Sequence, residues 1–298
     1  MVRNEERQIA EWLAWQHAIG VDLTIVYDNE STDCTADIVR TIAQVQSIEL
    51  INWPGDAKRQ HSRAFRDCVS RHKSDLDWIL FSDSDEFFVP LVHAGIHEFV
   101  ADPRYVGAAG IGVNWAIFGS SGHEDYPEGL TIESFTRRAP NEFSANCHVK
   151  SLLRPAAICG TIASHVATID GPYVDADGEP IVWSKPGKSV RTPSLSVAQI
   201  NHYFTRSKAH WARRMERGYG SDKPRTWDEF CMHDRNEVED LSAVRFLPEV
   251  RSRIERYHEL PAVGTSPVGR RRLWPRMRQA FAQARGNAPS SVGFKTPR

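Results

Sequence analysis

Short β-prone runs alternate with segments of helical spacing over the first third of the chain. Strands that alternate with helices of this length form βαβ units, in which neighbouring strands run parallel. The pattern therefore predicts an α/β fold with a mostly parallel central sheet flanked by helices. The β-prone runs lie at 23–27, 48–53 and 78–81, and the helical segments lie at 5–19, 31–45 and 58–72.

The composition and the spacing of apolar residues change twice in the rest of the chain. Residues 106–205 are richer in glycine, proline and short β-prone runs, and helical spacing returns from residue 207. The Gly-Thr-Ser-Pro-Val-Gly stretch at 264–269 is typical of a linker. We therefore expect a main region at 1–205, a helical C-terminal extension of the same domain at 206–263, and a linker with a tail at 264–298.

Composition excludes several classes of protein. The five cysteines are widely spread and include no Cys-x-x-Cys pair, which argues against a disulfide framework and a cysteine zinc site. No run approaches the ~18 apolar residues that a membrane span requires. The first residues also lack the apolar segment of a cleaved secretory signal. These features favour a cytoplasmic location.

The tail differs from the body in charge. Residues 270–298 contain eight basic residues and no acidic one. Leu273, Met277 and Ala280 share one helical stripe, so the tail can form a basic amphipathic helix that contacts an anionic membrane surface peripherally. A disordered, solubilising tail is the alternative. We expect no nucleic-acid partner, because the acidic body would be repelled by phosphates.

Carboxylates follow the apolar run at 78–81. The chain has three Asp-x-Asp pairs, and only Asp83 and Asp85 come directly after an apolar strand. Ligands of open α/β sheets bind beyond the carboxyl ends of strands. Two carboxylates one residue apart on an extended segment can share a hard cation such as Mg²⁺ or Mn²⁺. The neighbouring Glu86 adds like-charge repulsion, which a bound cation would offset. The alternative to a cation site is an acidic turn that caps the next segment.

Seven motifs follow one another along the chain: Asn4-Glu5-Glu6, Glu11-Trp12, Gly20-Val21-Asp22, Asp28 to Asp33, Asp83 to Phe87, Phe118 to His123, and Asn201-His202-Tyr203. In this order they resemble the motifs of the family 2-like and family 92-like glycosyltransferases. The resemblance covers roughly residues 3–220 and implies a GT-A (Rossmann-like) fold, a nucleotide-sugar donor, commonly a UDP-sugar, and a divalent cation.

The resemblance also implies roles for individual residues on the donor side. Asn4 and Glu5 would lie near the nucleotide at the end of a first strand, and Asp28 would meet the uracil or ribose. Asp83 would face the ribose and the metal. Asp85 would be the main ligand of the Mn²⁺ or Mg²⁺ ion. These assignments place the nucleotide over the first two βα loops.

The resemblance also implies roles for His202 and for the loop around Glu124 and Asp125, which would bind the acceptor. His202 matches the histidine that completes the metal site in many GT-A enzymes, although a core histidine is the alternative. Glu124 and Asp125 follow a Gly/Ser loop where inverting members carry the catalytic base, and the later Glu133 is a third candidate. The acceptor would be a glycan or a lipid-linked intermediate.

Basic residues near 206–217 have two interpretations. Arg206 and its neighbours can form a solvated face, or one or two of them can bind donor phosphates, since arginine makes bidentate contacts with phosphate.

One departure from the family pattern concerns the first strand. Only Met1, Val2 and Arg3 precede Asn4, so either the start of the sequence is misplaced or the first strand is truncated, which would weaken the nucleotide pocket. Two other functions stay open, and the short N-terminus supports only the first of them. One is a nucleotide-sugar-binding protein with impaired catalysis, and the other is a metal-dependent phosphatase of the Asp-x-Asp kind.

Overall fold

The computed structural model describes residues 1–55, 60–217, 224–261 and 263. Its α-helices are α1 (Ile9–Ala18), α2 (Thr35–Ile42), α3 (Gln60–His72), α4 (Ile96–Val100), α5 (Thr131–Ser134), α6 (Lys208–Arg217), α7 (Trp227–His233) and α8 (Leu247–His258). Its strands are β1 (Thr24–Asp28), β2 (Ile48–Asn52), β3 (Ile79–Leu80), β4 (Glu86–Pro90), β5 (Gly110–Ile117), β6 (Arg137–Arg138), β7 (Val149–Leu153), β8 (Ile158–Ile162), β9 (Ala167–Ile169), β10 (Tyr173–Asp175), β11 (Trp183–Lys185), β12 (Lys188–Ser189), β13 (Ala198–His202) and β14 (Val238–Glu239).

The central sheet is mixed, so the mostly parallel arrangement expected from the sequence is confirmed only in part. Its strand order is β3-β7-β5-β13-β4, with β10 also beside β5. β5 runs parallel to β10 and β13, whereas β7 runs antiparallel to β3 and β5, and β13 runs antiparallel to β4. Parallel neighbours need a long crossover, usually a helix, and antiparallel neighbours do not. The middle of the chain forms mostly strands and short helices, which suits antiparallel pairing.

The alternation expected near the N-terminus is confirmed. β1 and β2 form a parallel pair joined through α2. The expected first strand is reduced to one residue, because Val2 forms a single parallel bridge with Asp28. The N–H of Val2 donates to the Tyr27 carbonyl at 2.8 Å, and the N–H of Asn29 donates to the Val2 carbonyl at 2.8 Å.

Helix α1 is anchored to β4 by two tryptophans. The indole N–H groups of Trp12 and Trp15 donate to the carbonyls of Glu86 and Phe88, each at 3.1 Å. The helix stops before Gly20, as the sequence predicts, since Gly20 follows the C-cap Ile19 with a φ of +91°. The N–H of Val21 donates to the carbonyl of Gln16 at 2.9 Å, which closes the helix end in a Schellman arrangement.

The C-terminal helices pack on the same body. Helix α8 contacts α1, and the Gln46 amide donates to the Tyr257 hydroxyl at 2.8 Å. The predicted linker and amphipathic tail at 264–298 lie outside the described residues. Within the described ranges, no helix has both the length and the apolar character needed to cross a membrane.

Candidate active site

The predicted carboxylate pair lies in the turn between β3 and β4. The N–H of Glu86 donates to the Asp83 carbonyl at 3.0 Å, which closes a turn around Ser84 and Asp85. The expectation that both carboxylates project from an extended segment is therefore wrong. The turn gives Asp83 and Asp85 different partners.

Asp83 lies beside a buried lysine. The Nζ atom of Lys150 is 2.9 Å from Oδ2 of Asp83, and Nδ1 of His61 is 3.8 Å from Oδ1. Burial raises the pKa of the Asp83 carboxyl, but Lys150, His61 and the N-terminal amine together outweigh burial and hold that pKa below its usual range. Asp83 is therefore ionised at neutral pH.

Lys150 also contacts Glu86, which corrects the expectation that Glu86 is uncompensated without a metal. Its Nζ atom lies 2.9 Å from Oε2 of Glu86, and the exposed fractions of the two side chains are 1% and 0%. Burial favours the neutral amine, but Asp83 and Glu86 together raise the pKa of Lys150 above its usual range. The lysine is therefore charged and bridges both carboxylates.

Asp85 is surrounded by cationic and imidazole groups. Its Oδ1 lies 3.7 Å from Nε2 of His202, and its Oδ2 lies 3.3 Å from Nη1 of Arg214. Burial would raise the pKa of the Asp85 carboxyl, but His202 and then Arg214 lower it well below its usual range. Because His202 is opposite Glu86 in the β13–β4 register, strand pairing holds the histidine beside the turn.

The Asp85–His202 pair fits a divalent cation. The distance of 3.7 Å between Oδ1 of Asp85 and Nε2 of His202 is too long for a hydrogen bond. It is shorter than about 4.2 Å, which is the largest separation of two ligand atoms that each lie about 2.1 Å from one metal ion. A cation can therefore contact both atoms, with water and phosphate in its other positions. Within the described part of the chain, no group of three or more His, Cys, Asp or Glu is arranged around a metal position. The metal-ligand roles of Asp83, Asp85 and His202 therefore all stay predictions.

Arg206 lies directly behind the carboxylate turn. It is 4% exposed, and its Nη2 donates to the Ser84 carbonyl at 3.4 Å. Its φ of +53° is in the left-handed region that side chains other than glycine rarely adopt. Its Nε atom is buried and makes no hydrogen bond with the described residues. A strained, buried arginine with a spare donor next to Asp85 is consistent with binding an anion.

The residues predicted to hold the nucleotide lie at the N-terminal loop and the end of β1. Asn4 has a φ of +57°, and its Oδ1 accepts from the Thr32 N–H at 2.8 Å. The N–H of Glu5 donates to Thr35 Oγ1 at 2.7 Å. Asn4 and Glu5 therefore tie the N-terminal loop to the start of α2. Asp28 is 7% exposed, and its Oδ1 makes no hydrogen bond in the described ranges.

The three candidate bases have different surroundings. Glu124 and Asp125 are exposed, and Lys208 Nζ donates to Glu124 Oε1 at 2.7 Å. Glu133 accepts from the Leu130 N–H at 2.7 Å and pairs with Arg251. Glu133 is thus occupied by a structural role, whereas the Asp125 carboxylate is open to solvent.

Backbone contacts connect the acceptor loop to the carboxylate turn. The N–H of Ala209 donates to the Glu124 carbonyl at 2.9 Å at the start of α6, and the same helix carries Arg214, which contacts Asp85. Asn4, Tyr126 and Arg214 also line one small crevice. The N-terminal loop, the loop at 124–126 and the carboxylate turn are therefore connected through α6.

Sequence reasoning did not assign individual roles to Lys150 and Arg214. A signal for Lys150 existed, since it is the one charged residue of the run Val149–Leu153 and every residue of that strand is buried. A lysine in such a strand needs a carboxylate partner. Which carboxylate it contacts depends on strand register.

Comparison with known proteins gives a consistent family match. The model of glycosyltransferase family 92 matches residues 2–230. A glycosyltransferase family 92 protein of Ricinus communis is 29% identical over 185 residues, which cover 59% of this chain and 32% of the relative. A family 92 protein of Oryza sativa subsp. japonica is 26% identical over 163 residues, covering 53% of this chain and 26% of the relative.

A third relative covers more of the chain. A glycosyltransferase family 92 protein of Arabidopsis thaliana is 24% identical over 214 residues, which are 68% of this chain and 34% of the relative. The chain thus spans about a third or less of the length of these curated relatives.

Proposed function

Because this chain belongs to glycosyltransferase family 92, we propose that it transfers a sugar from a nucleotide diphosphate donor, of the UDP-sugar class, to a hydroxyl of a glycan or lipid-linked acceptor. The observation that carries this proposal is the contact of Asp85 with His202 and Arg214 at the end of β3. In that arrangement the proposed cation position between Asp85 and His202 lies beside Arg214, whose guanidinium can bind phosphate. In the same proposal the mixed sheet is a variant of the GT-A fold.

The donor half of the site is assigned from contacts and charge. Arg206 and Arg214 donate hydrogen bonds to the diphosphate oxygens, since guanidinium groups match phosphate geometry. The free Oδ1 of Asp28 accepts a hydrogen bond from the base or ribose, and the loop held by Asn4 and Glu5 borders the nucleoside.

Asp85 and His202 hold the divalent cation, Mn²⁺ or Mg²⁺, with Asp83 as the third predicted ligand. When bound, the cation supplies Lewis-acid neutralisation of the charge on the leaving diphosphate. Lys150 keeps Asp83 ionised and fixes its orientation through the 2.9 Å contact.

The acceptor half of the site is assigned to the loop before α6. Asp125 removes the proton from the acceptor hydroxyl as general base, and Glu124 and Glu133 are the less favoured candidates. The acceptor oxygen forms a bond to the anomeric carbon as the bond from that carbon to the diphosphate breaks. A single displacement from the opposite face inverts the anomeric configuration.

The test is a panel of nucleotide sugars incubated with the protein and Mn²⁺, with mass spectrometry of the released nucleoside diphosphate. We expect release with at least one UDP-sugar, and a loss of about 100-fold or more in Asp85→Ala. Asp177→Ala is the matched control, because it changes an Asp-x-Asp pair outside this turn whose carboxylate accepts from Ser194 and Ser196. The control should keep full activity.

Three other outcomes would contradict the proposal. Donor binding without turnover would indicate a binding protein with impaired catalysis. Release of inorganic phosphate from a phosphomonoester would indicate a phosphatase. Equal activity of Asp85→Ala and the unsubstituted protein would exclude the carboxylate turn from the chemistry.

A further inference from the structure

A cluster of aromatic and imidazole rings lies on the same face of the central sheet as His202. Lys150 is opposite Val113 in the β5–β7 register, and Trp115 is opposite Ile200 in the parallel β5–β13 register. Directly paired residues share a face of the sheet, and so do alternate residues along one strand. Trp115 therefore projects from the same face as Lys150 and His202.

Trp115 is the centre of this cluster. Its ring centre lies 4.4 Å from that of His202, 5.0 Å from that of His148 and 5.0 Å from that of His165. Trp115, His148 and His165 are half-buried, so each keeps some exposed surface. We call these three residues the Trp115 platform. The platform adjoins the proposed cation position through His202.

The two imidazoles of the platform are fixed by the backbone. Nδ1 of His148 donates to the Ala145 carbonyl at 3.0 Å, and Nδ1 of His165 donates to the Val149 carbonyl at 2.9 Å. Burial lowers the pKa of both histidines, to about 4 for His165, so both rings are neutral at pH 7. A neutral imidazole with its proton on Nδ1 accepts a hydrogen bond at Nε2. The platform therefore offers two acceptors beside an aromatic ring.

The backbone around the platform is adapted to it. Gly187 has a φ of +80°, and a Cβ atom there would clash with the Cβ of His165. Ser151 Oγ donates to the His165 carbonyl at 2.5 Å. Nε1 of Trp115 is buried without a hydrogen-bond partner among the described residues, and buried indole N–H groups usually have one. These features favour a ligand-binding role over a purely structural one.

The platform and the acceptor loop lie beside different oxygens of Asp85. Oδ1 of Asp85 faces His202, which contacts Trp115, whereas Oδ2 faces Arg214 of α6. The first turn of α6 is hydrogen-bonded to the Glu124 carbonyl. Because that loop carries the proposed general base, the acceptor belongs on the Arg214 side. The sugar of the donor is then the ligand expected on the His202 side.

From these observations we propose that the Trp115 platform binds the pyranose ring of the nucleotide-sugar donor. The proposal rests on the proposed function, which places the donor diphosphate on a cation beside His202. The sugar is bonded to that diphosphate, so its ring can reach Trp115. The C–H groups on one face of the sugar pack on the indole, and two hydroxyls donate to Nε2 of His148 and Nε2 of His165. The platform thereby contributes to the choice of sugar.

The test is calorimetric titration of the full chain with UDP, UDP-glucose, UDP-galactose and UDP-N-acetylglucosamine in the presence of Mn²⁺. For at least one UDP-sugar, Trp115→Leu should raise the Kd about 10-fold, while the Kd of UDP alone changes by less than about 2-fold. His148→Phe and His165→Phe, which keep a ring but remove Nε2, should each raise the Kd of that UDP-sugar roughly 5-fold. They carry the test if Trp115→Leu does not fold. Trp227→Leu changes an exposed tryptophan of α7 and should affect neither Kd.

Three results of this titration would overturn the proposal. An equal loss of UDP and UDP-sugar affinity in Trp115→Leu would show that Trp115 only positions His202. Unchanged UDP-sugar affinity in all three platform variants, with sugar transfer still observed, would reject the platform and keep the proposed activity. A raised KM for the acceptor with an unchanged donor Kd would assign the platform to the acceptor.

A second measurement needs no nucleotide and separates the platform from the activity. In NMR spectra of the nitrogen-labelled protein, free glucose, galactose or N-acetylglucosamine in large excess should shift the indole N–H signal of Trp115 and leave that of Trp227 unchanged. Such a shift in a protein that neither binds nor cleaves a UDP-sugar would support the sugar site and reject the proposed activity. No shift of the Trp115 signal with any free or UDP-linked sugar would overturn the proposal.

Discussion

The Nζ atom of Lys150 lies 2.9 Å from Oε2 of Glu86, and both side chains are almost completely buried. The same ammonium group contacts Asp83, which is partly exposed. Breaking a buried ion pair by removing one partner leaves an uncompensated charge, whereas replacing both partners by apolar groups is often neutral. Lys150 and Glu86 should therefore be strongly coupled in stability.

The first prediction is a double-mutant cycle on this pair. Lys150→Met should lower the free energy of unfolding by about 3–5 kcal/mol, because Glu86 is left buried without its ion-pair partner. The double variant Lys150→Met/Glu86→Leu should recover most of that loss in urea unfolding. Lys185→Met, which changes an exposed lysine, is the control and should have little effect. Additive losses in the double variant would show that the pair is not coupled.

The second prediction separates the candidate bases. Asp125→Asn should lower kcat about 100-fold or more with little change in the free energy of unfolding. Glu133→Gln should instead lower stability by about 1 kcal/mol, because it weakens the contacts with Leu130 and Arg251. Steady-state kinetics and urea unfolding on both variants make the comparison. A large kcat loss in Glu133→Gln alone would exchange the two roles.

The third prediction concerns His17 and acid stability. Burial, with a smaller effect of Arg253, lowers the pKa of His17 from 6.5 to about 4. The unfolded chain therefore binds more protons at this position between these pH values, and stability falls as the pH drops from about 6.5 to about 4. His17→Gln should lose less stability than the unsubstituted protein between pH 7 and pH 5.

Urea midpoints at both pH values measure this effect. His97→Gln changes an exposed histidine and serves as the control. An equal pH dependence for His17→Gln and the unsubstituted protein would contradict the assignment.

The fourth prediction concerns the end of α1. Gly20→Ala should lower the free energy of unfolding by about 1 kcal/mol, since alanine is strained at a φ of +91° and its Cβ would lie 3.3 Å from His97 Cδ2. Gly107→Asn is the comparison, because Gly107 has a φ of +80° with open space around it and asparagine tolerates this region. Thermal unfolding should rank Gly20→Ala as the less stable variant.

The local elements could be predicted because their signals are local. The apolar spacing before Gly20 and the β-prone run before Asp28 lead to α1 and β1 with small shifts in their ends. The place of Asp83 and Asp85 just beyond an apolar strand was also predicted from sequence, although the main expectation there was an extended segment rather than a turn. Each of these inferences needed only neighbouring residues.

The pairings across the sheet could not be predicted in this way. Lys150 reaches Asp83 because β7 runs antiparallel to β3, and the two residues are 67 positions apart. Register between distant strands depends on tertiary packing, which no local pattern encodes. The antiparallel pairings of the central sheet were not predicted for the same reason.

The pairing of His202 with Glu86 sets a limit on how the chain can vary in length. Side chains alternate along a strand, so a slip of one residue between β13 and β4 would turn His202 to the opposite face of the sheet. Insertions in the loop before Ala198 keep this alignment intact. A single inserted residue within Ala198–His202 would separate the imidazole from Asp85 and remove the proposed cation position without changing any residue of the carboxylate turn.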